Sequence, residues 1–376
     1  MNSDKKKIAV VVPKYGLVGG GERFVSELTE RLATNPAYDI HVFANRWQAQ
    51  SDSITFHKVP IITFPKWLTT ISFAWFANKL IATLGGFDLI HAHDRIFRAD
   101  ICSMHFIPHR IWVKTIRGKR YLSLFDRATI WVEKKMLSNS GGCSYVLPVS
   151  SLAAGKLREE YPESRYNVQV IHPGVNNGFW VKNHEAGQQI REEFGIASTD
   201  FLLLFVSMNF ELKGLDQLLA AMGKICGTRT DKSLKLLIVG KGNNKKYTAI
   251  AESYGLTDRV VFAGIRQDMP AIYQAADLFI FLSAFDTFGM VVTEAMAAGL
   301  PVIISDQVGA KDLVQDGRNG FIIDCEDQER LVEKIKELAA TPNQIIFMGD
   351  KAREQAMKNC WVKVTSMVID LYKEIL

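Results

Sequence analysis

The stretch ADLFIFLSAFDTFGMVVTEAMAAGLPVIISD, residues 276–306, decides the fold class. Two apolar runs, 278–282 and 302–305, flank a segment with helical spacing that starts near Gly289 and stops at Gly299. Strands apolar at every position are covered on both faces, as in a parallel sheet wrapped by helices. A glycine closing the helix supplies the left-handed turn that ends it. Asp286 and Glu294 stand on either side of the Phe288-Gly289 step. The helix start offers backbone N–H groups at Phe288, Gly289 and Met290, a site suited to phosphate. Gly289 also lets a ligand come close to the main chain. Phosphate-binding amides with two hydroxyl-binding acids beside them fit a sugar nucleotide. The plain structural reading instead makes Glu294 a buried acid and Asp286 an N-cap.

The same alternation runs through the whole chain. KIAVVVP, DIHVFAN and FDLIHAH are short apolar strands, with GGGERFVSELTERLAT a helix after the first. A second series begins near residue 200 with FLLLFVSMN and continues through SLKLLIVGKG, RVVFAG and PVIISD. The expected class is α/β, with two Rossmann-like, doubly wound domains facing a cleft. Residues 1–175 form the first, to which a C-terminal helix at 361–376 crosses back. Residues 176–360 form the second, and HPGVNNGFWVKNHEAGQQ (172–189) is the linker. Ligands are expected outside the carboxyl ends of such strands.

With 376 residues, 48% of them hydrophobic and 23% charged, the chain can bury two cores. Its five cysteines are scattered without a CxxC pair, which argues for reduced thiols in a cytoplasm and against zinc. WLTTISFAWFANKLIATLGG (67–86), interrupted by Asn78 and Lys79, falls short of the ~20 apolar residues a membrane span needs and reads as a mostly buried helix. The net charge of +5 comes from the first half. Residues 95–135 hold ten Lys/Arg against three Asp/Glu, with Trp112, Tyr121 and Trp131 interleaved. That pattern suits an anionic membrane surface; its alternative is a solvated face over core tryptophans. No nucleic-acid module accompanies it, so no nucleic-acid partner is expected.

The run 275–323, with VGKGNNKKYTAIAESYGLTDRVVFAGIRQDMPAIYQAAD, VSMNFELKGLDQLLAAM and GLVGGGERFVSELTERL, resembles the retaining glycosyltransferases of family 4. Their mark is two acids with seven residues between them. The basic first half, with HAHDRIFRADICSMHFIPHR, looks most like the lipopolysaccharide core glucosyltransferase branch. The resemblance implies the GT-B arrangement, an acceptor-binding first domain and a second domain holding a nucleotide-sugar donor. It implies transfer of a hexose from a UDP-sugar, or a GDP-sugar, to a lipid-linked glycan such as lipopolysaccharide core. The place would be the cytoplasmic face of the inner membrane. A sugar-nucleotide 2-epimerase of the same fold, or a non-catalytic sugar-nucleotide sensor, are the alternatives.

Residue by residue, Glu294 matches the acid that binds the ribose. Asp286 matches the acid, normally Glu, that contacts hydroxyls of the transferred sugar, and is one methylene shorter. Lys213 matches the lysine that meets the diphosphate. The usual arginine a few residues earlier is missing, and so is the one beside the lysine in some core-branch members, where this chain has Leu212. Arg266 or Arg23 are candidates to share the load. Gly264, Ile265 and Arg266 match the base-binding turn, which acts largely through main-chain groups. GLVGGGERF (16–24) lacks the full GxGxxG spacing; in the family Gly19, Gly20 and Gly21 approach the donor phosphate or the acceptor. His105 matches a histidine lining the reaction centre. Asp100 and Asp94 are candidate acceptor-activating carboxylates. His91 and His93 share one strand face, but no third metal ligand accompanies them. No metal or other cofactor is expected, the nucleotide sugar being a substrate.

Overall fold

The structure is a computed structural model. It describes residues 5–16, 19–48, 51–137, 142–163, 165–179, 183–226 and 234–376. Leu17 and Val18 of the glycine loop, and 180–182 of the expected linker, lie outside the described residues. The chain divides into two compact units, Met1–Gly174 with Trp361–Leu376, and Val175–Cys360.

The first unit is built on β1 (Lys6–Val11), β3 (Tyr38–Ala44), β5 (Ile54–Lys58), β6 (Leu89–Ala92), β7 (Ile101–Met104), β8 (Tyr145–Pro148) and β9 (Asn167–Val168). They form one sheet in the order β5-β3-β1-β6-β7-β8-β9, every pairing parallel. A two-strand ladder, β2 (Lys14–Tyr15) with β4 (Arg46–Trp47), extends one end. The helices are α1 (Gly20–Ala33), α2 (Leu68–Leu84), the short α3 (His109–Ile111) running into a wide turn at Trp112–Ile116, α4 (Leu124–Met136), α5 (Ser151–Glu160) and the C-terminal α13 (Trp361–Ile375). A capping box fixes the start of α4: Ser123 accepts from the Asp126 amide, and Asp126 accepts from the Ser123 amide. The core runs from Val11, Ala92 and Cys102 on the sheet to Phe73, Ala77 and Ile81 on α2.

The second unit has β10 (Phe201–Ser207), β11 (Leu234–Gly240), β12 (Val260–Gly264), β13 (Leu278–Phe281), β14 (Val302–Ser305) and β15 (Gly320–Ile323). The order is β12-β11-β10-β13-β14-β15, again all parallel. Around it lie α6 (His184–Glu193), α7 (Leu215–Cys226), α8 (Asn244–Ser253), α9 (Met269–Ala275), α10 (Met290–Ala298), α11 (Gln328–Ala340) and α12 (Pro342–Met357). Leu203, Phe205, Leu236, Ile238 and Ile280 of the strands pack on Leu215, Leu219 and Ile335 of the helices.

In each sheet the chain starts in the middle, winds one way and then returns to wind the other. The order reverses between β1 and β6 in the first unit and between β10 and β13 in the second. Loops leaving the two strands at such a point diverge and leave a crevice at their carboxyl ends. No helix among the described residues is long and apolar enough to cross a membrane.

Candidate active site

In the second unit, the loop after β10 carries Lys213 and the loop after β13 carries Asp286, so both residues stand at the reversal. The two loops are stitched together: Ala284 N donates to Leu212 O at 2.9 Å and Ser283 Oγ to the same oxygen at 3.2 Å. Gly214 makes this approach possible. Its φ is +84°, and a Cβ there would stand 2.2 Å from Leu282 O. Lys213 Nζ then lies 2.7 Å from Asp286 Oδ2 and 3.2 Å from Phe285 O, above the Phe281 ring. Asp286 uses its other oxygen, Oδ1, to accept from the Phe288 amide at 3.1 Å. This is a local Asx turn rather than a helix N-cap.

Next to this pair α10 begins. Gly289 precedes it with φ 85° and Gly299 follows it with φ 88°, both left-handed. The Phe288 amide, expected to be open for a ligand, is taken by Asp286. The amides of Gly289 and Met290 have no hydrogen-bond acceptor among the described residues, and they sit at the positive end of the helix dipole. Glu294, one turn in, is buried, and its Oε2 accepts from Tyr273 Oη at 3.1 Å. The acid is thus held by the fold as well as placed on the helix that bears the open amides.

In the first unit, the β1–β6 reversal opens a cavity of about 390 Å³. Val12, Pro13 and Lys14 follow β1; His93, Asp94 and Arg95 follow β6; His105 and Phe106 follow β7. Gly21 and Glu22 at the start of α1 close it, with Gly21 so near that a Cβ would stand 3.4 Å from His105 Cβ. A file of imidazoles runs inward from the cavity, from the half-buried His105 to the buried His93 and His91. His93 Nδ1 is 3.1 Å from His105 Nε2, and the His91 and His93 rings stack at 4.3 Å. His91 Nδ1 meets Tyr372 Oη of α13 at 2.7 Å, and its Nε2 meets Ser103 Oγ at 2.8 Å. Burial lowers His91 and His105 to about 3, the former helped by charge repulsion from His105. His105 is therefore a neutral hydrogen-bonding group and not a proton carrier near neutral pH. Burial raises the Asp94 carboxyl, against the pull of Arg95. Arg95 in turn donates from Nε to the fully buried Glu133 at 2.7 Å.

A family model described as Glycosyl transferases group 1 matches residues 186–355, and one described as Glycosyltransferase Family 4 matches residues 18–178. The chain belongs to the family 4 glycosyltransferases. Lipopolysaccharide glucosyltransferase WaaG of Escherichia coli K12 is 24% identical over 362 residues, covering 93% of this chain and 94% of that protein. D-inositol 3-phosphate glycosyltransferase of Corynebacterium urealyticum is 27% identical over 308 residues, 77% of this chain and 72% of the relative. Among solved structures, WaaG superposes with a TM-score of 0.82 at 19% identity, over 97% of this chain and 99% of that one. Anabaena HepE, solved with UDP and glucose, gives 0.75 at 20% identity, over 98% and 99%. These structural likenesses establish the GT-B fold, two parallel-sheet Rossmann-like domains.

Two expected site residues of this glycosyltransferase have side chains bonded to other groups of the protein. Asp100 precedes β7 whereas His105 follows it, so Asp100 is at the wrong end of the strand to face the cavity. Its Oδ2 accepts from the Ile90 amide at 2.7 Å, and its backbone carbonyl accepts from Ser144 and Tyr145. Of the two candidate carboxylates, Asp94 is the one that lines the cavity, where Glu22 also stands. The Arg266 guanidinium is committed to Glu193 and Asp268, with Nη2 at 2.9 Å and 2.6 Å, so it has little to offer Lys213. The turn that bears it keeps its place: Gly264 ends β12 with φ 69°, and Ile265 is exposed beside it, as is Met208 after β10. Gly19 and Gly20 open α1 beside Gly21. His91 spends both ring nitrogens and His93 its Nδ1 on hydrogen bonds inside the unit, His93 Nε2 is buried without a partner, and no group of three His, Cys, Asp or Glu among the described residues is arranged for a metal.

Proposed function

We propose that this glycosyltransferase moves a hexose from a UDP-sugar, with retention of anomeric configuration and without a metal, to a lipid-linked glycan. Lipopolysaccharide core is the model for that acceptor, on the cytoplasmic face of a membrane whose anionic surface the basic 95–135 segment meets. One observation carries the reading: a lysine, an acid and the open start of α10 meet at the strand-order reversal of the second unit. The pyrophosphate displaces Asp286 from Lys213 and takes the Gly289 and Met290 amides; Lys213 offsets the charge that grows on the leaving group. Asp286, released, turns to hydroxyls of the hexose, and Glu294 receives the ribose. Gly264 and Ile265, with Met208, give the base a main-chain and apolar shelf. The first-unit cavity takes the acceptor end, where the neutral His105 serves as a hydrogen-bonding group and Asp94 orients the acceptor hydroxyl. The acceptor oxygen bonds to the anomeric carbon on the face the phosphate leaves, and the departing phosphate oxygen takes its proton. Support comes from WaaG and HepE, whose names or bound ligands are a lipopolysaccharide glucosyltransferase and UDP with glucose.

The test is incubation with UDP- and GDP-hexoses, with and without a lipid-linked oligosaccharide, following nucleotide release and the anomeric signal of the product. UDP release from one α-linked donor, accelerated by the acceptor and giving an α-linked product, is expected. An epimerised donor, or binding with no release, would overturn the assignment.

A further inference from the structure

The first unit carries a face that its core does not explain. The segment 67–86 reads from sequence as a mostly buried helix, yet α2 buries only one side, through Ser72, Phe73, Ala74, Ala77 and Ile81. Trp75, on the opposite side, is 48% exposed, and Phe64, in the loop that leads into the helix, is 88% exposed. α4 lies alongside, tied to α2 by Thr70 Oγ1 and Thr129 Oγ1 at 3.1 Å. Its outer side shows Leu124, Arg127, Trp131, Lys134 and Lys135. Exposed apolar groups in this number are unusual for a face left in water.

The charges on this face are all of one sign. Residues 61–84 contain no Asp or Glu, and residues 105–137 contain only Asp126 and Glu133, both buried and hydrogen-bonded inside the unit. The cations, by contrast, are all exposed. Lys79 Nζ lies 4.6 Å over the Trp75 ring and Lys66 Nζ 5.5 Å over Phe125, each stem along an aromatic with its charge outward. Tryptophans flanked by lysines, with no exposed carboxylate among them, match the chemistry of an anionic bilayer interface: rings at the headgroup level and cations on the phosphates.

We infer that α2 with its leading loop is a membrane anchor, in which Phe64 and Trp75 enter the interface while α4 and the basic 110–120 turn supply attraction. This rests on the proposed lipid-linked acceptor and adds to the 95–135 surface the apolar element that gives it depth. The experiment uses the full chain, sedimented with vesicles of phosphatidylcholine alone or mixed with phosphatidylglycerol, and tryptophan quenching by brominated lipid. Binding to the phosphatidylglycerol vesicles only, weakened by salt and accompanied by quenching, is expected. Phe64→Ser with Trp75→Ser should lower binding roughly tenfold at unchanged thermal stability, since both side chains face outward. Vesicle binding that the double variant leaves intact, without quenching, overturns the anchor while the electrostatic surface stands. Absence of binding to either vesicle overturns both. A dimer in solution that the double variant dissociates would give the face to a second copy and overturn the anchor.

Discussion

At the scale of single residues, the site is an ion pair waiting to be exchanged. Lys213 and Asp286 are each about one-fifth exposed in the side chain, so their attraction is only partly screened. A cation already neutralised by a carboxylate attracts phosphate less than a lone one. Asp286→Asn, which keeps an oxygen for the Phe288 amide, should therefore tighten UDP binding several-fold by calorimetry while lowering transfer. Weaker UDP binding would show that Asp286 does not compete for the lysine. Glu294→Gln keeps a partner for Tyr273 but loses a charged acceptor, a change of about 2 kcal/mol. It should weaken UDP more than tenfold, with the binding of dideoxyuridine diphosphate, which lacks the ribose hydroxyls, unaffected. Spacing around the Phe288-Gly289 step pointed to Asp286 and Glu294, and the family resemblance to Lys213, but neither gave their bonds. Whether a lysine faces solvent or a carboxylate 73 residues away depends on the strand order, which no local pattern encodes.

At the scale of elements, the strand-helix-strand reading of 276–306 was legible because two independent signals agree. Apolar runs set β13 and β14, and the glycines at 289 and 299 bracket α10 with left-handed turns. Other elements were less legible. α2 is apolar nearly all round, so its sequence could not tell a core face from one turned outward. Asp100 and His105 fall in one short stretch, and only the direction of β7 shows that they leave by opposite ends. The closeness of the two loops at the reversal gives a direct test. Gly214→Ala adds a Cβ against Leu282 O in a left-handed conformation, which should cost roughly 2 kcal/mol of stability. It should also lower kcat by displacing Lys213, even where the second unit remains folded by circular dichroism. Wild-type kcat in a destabilised Gly214→Ala protein would separate the loop's geometry from catalysis.

At the scale of the whole molecule, the units differ in what they are sensitive to. The first holds the buried His91 and His93 and the half-buried His105 near its reversal, with His91 and His105 lowered to about 3 from an ordinary value of 6.5. Unfolded, these rings take up protons near pH 6.5; folded, they do not until about pH 3. The unfolded state thus binds more protons across that window. The stability they contribute is complete above pH 6.5 and is lost as the pH falls, by up to about 1.4 kcal/mol per pH unit for each ring. Thermal scans from pH 7 to 5 should show a falling transition whose slope His91→Gln reduces; a slope unaffected by that change would contradict the burial argument. The basic excess of the first half, legible in composition, likewise pointed to an anionic surface before α2 supplied an apolar one. The claim on which the functional account stands is narrower and lies in the second unit. A crystal structure of the protein with UDP tests it: the diphosphate should lie within hydrogen-bonding distance of Lys213 Nζ and the Gly289 and Met290 amides, with the ribose on Glu294 and Asp286 turned away from the lysine. UDP bound elsewhere, with the Lys213–Asp286 pair intact, would contradict the account.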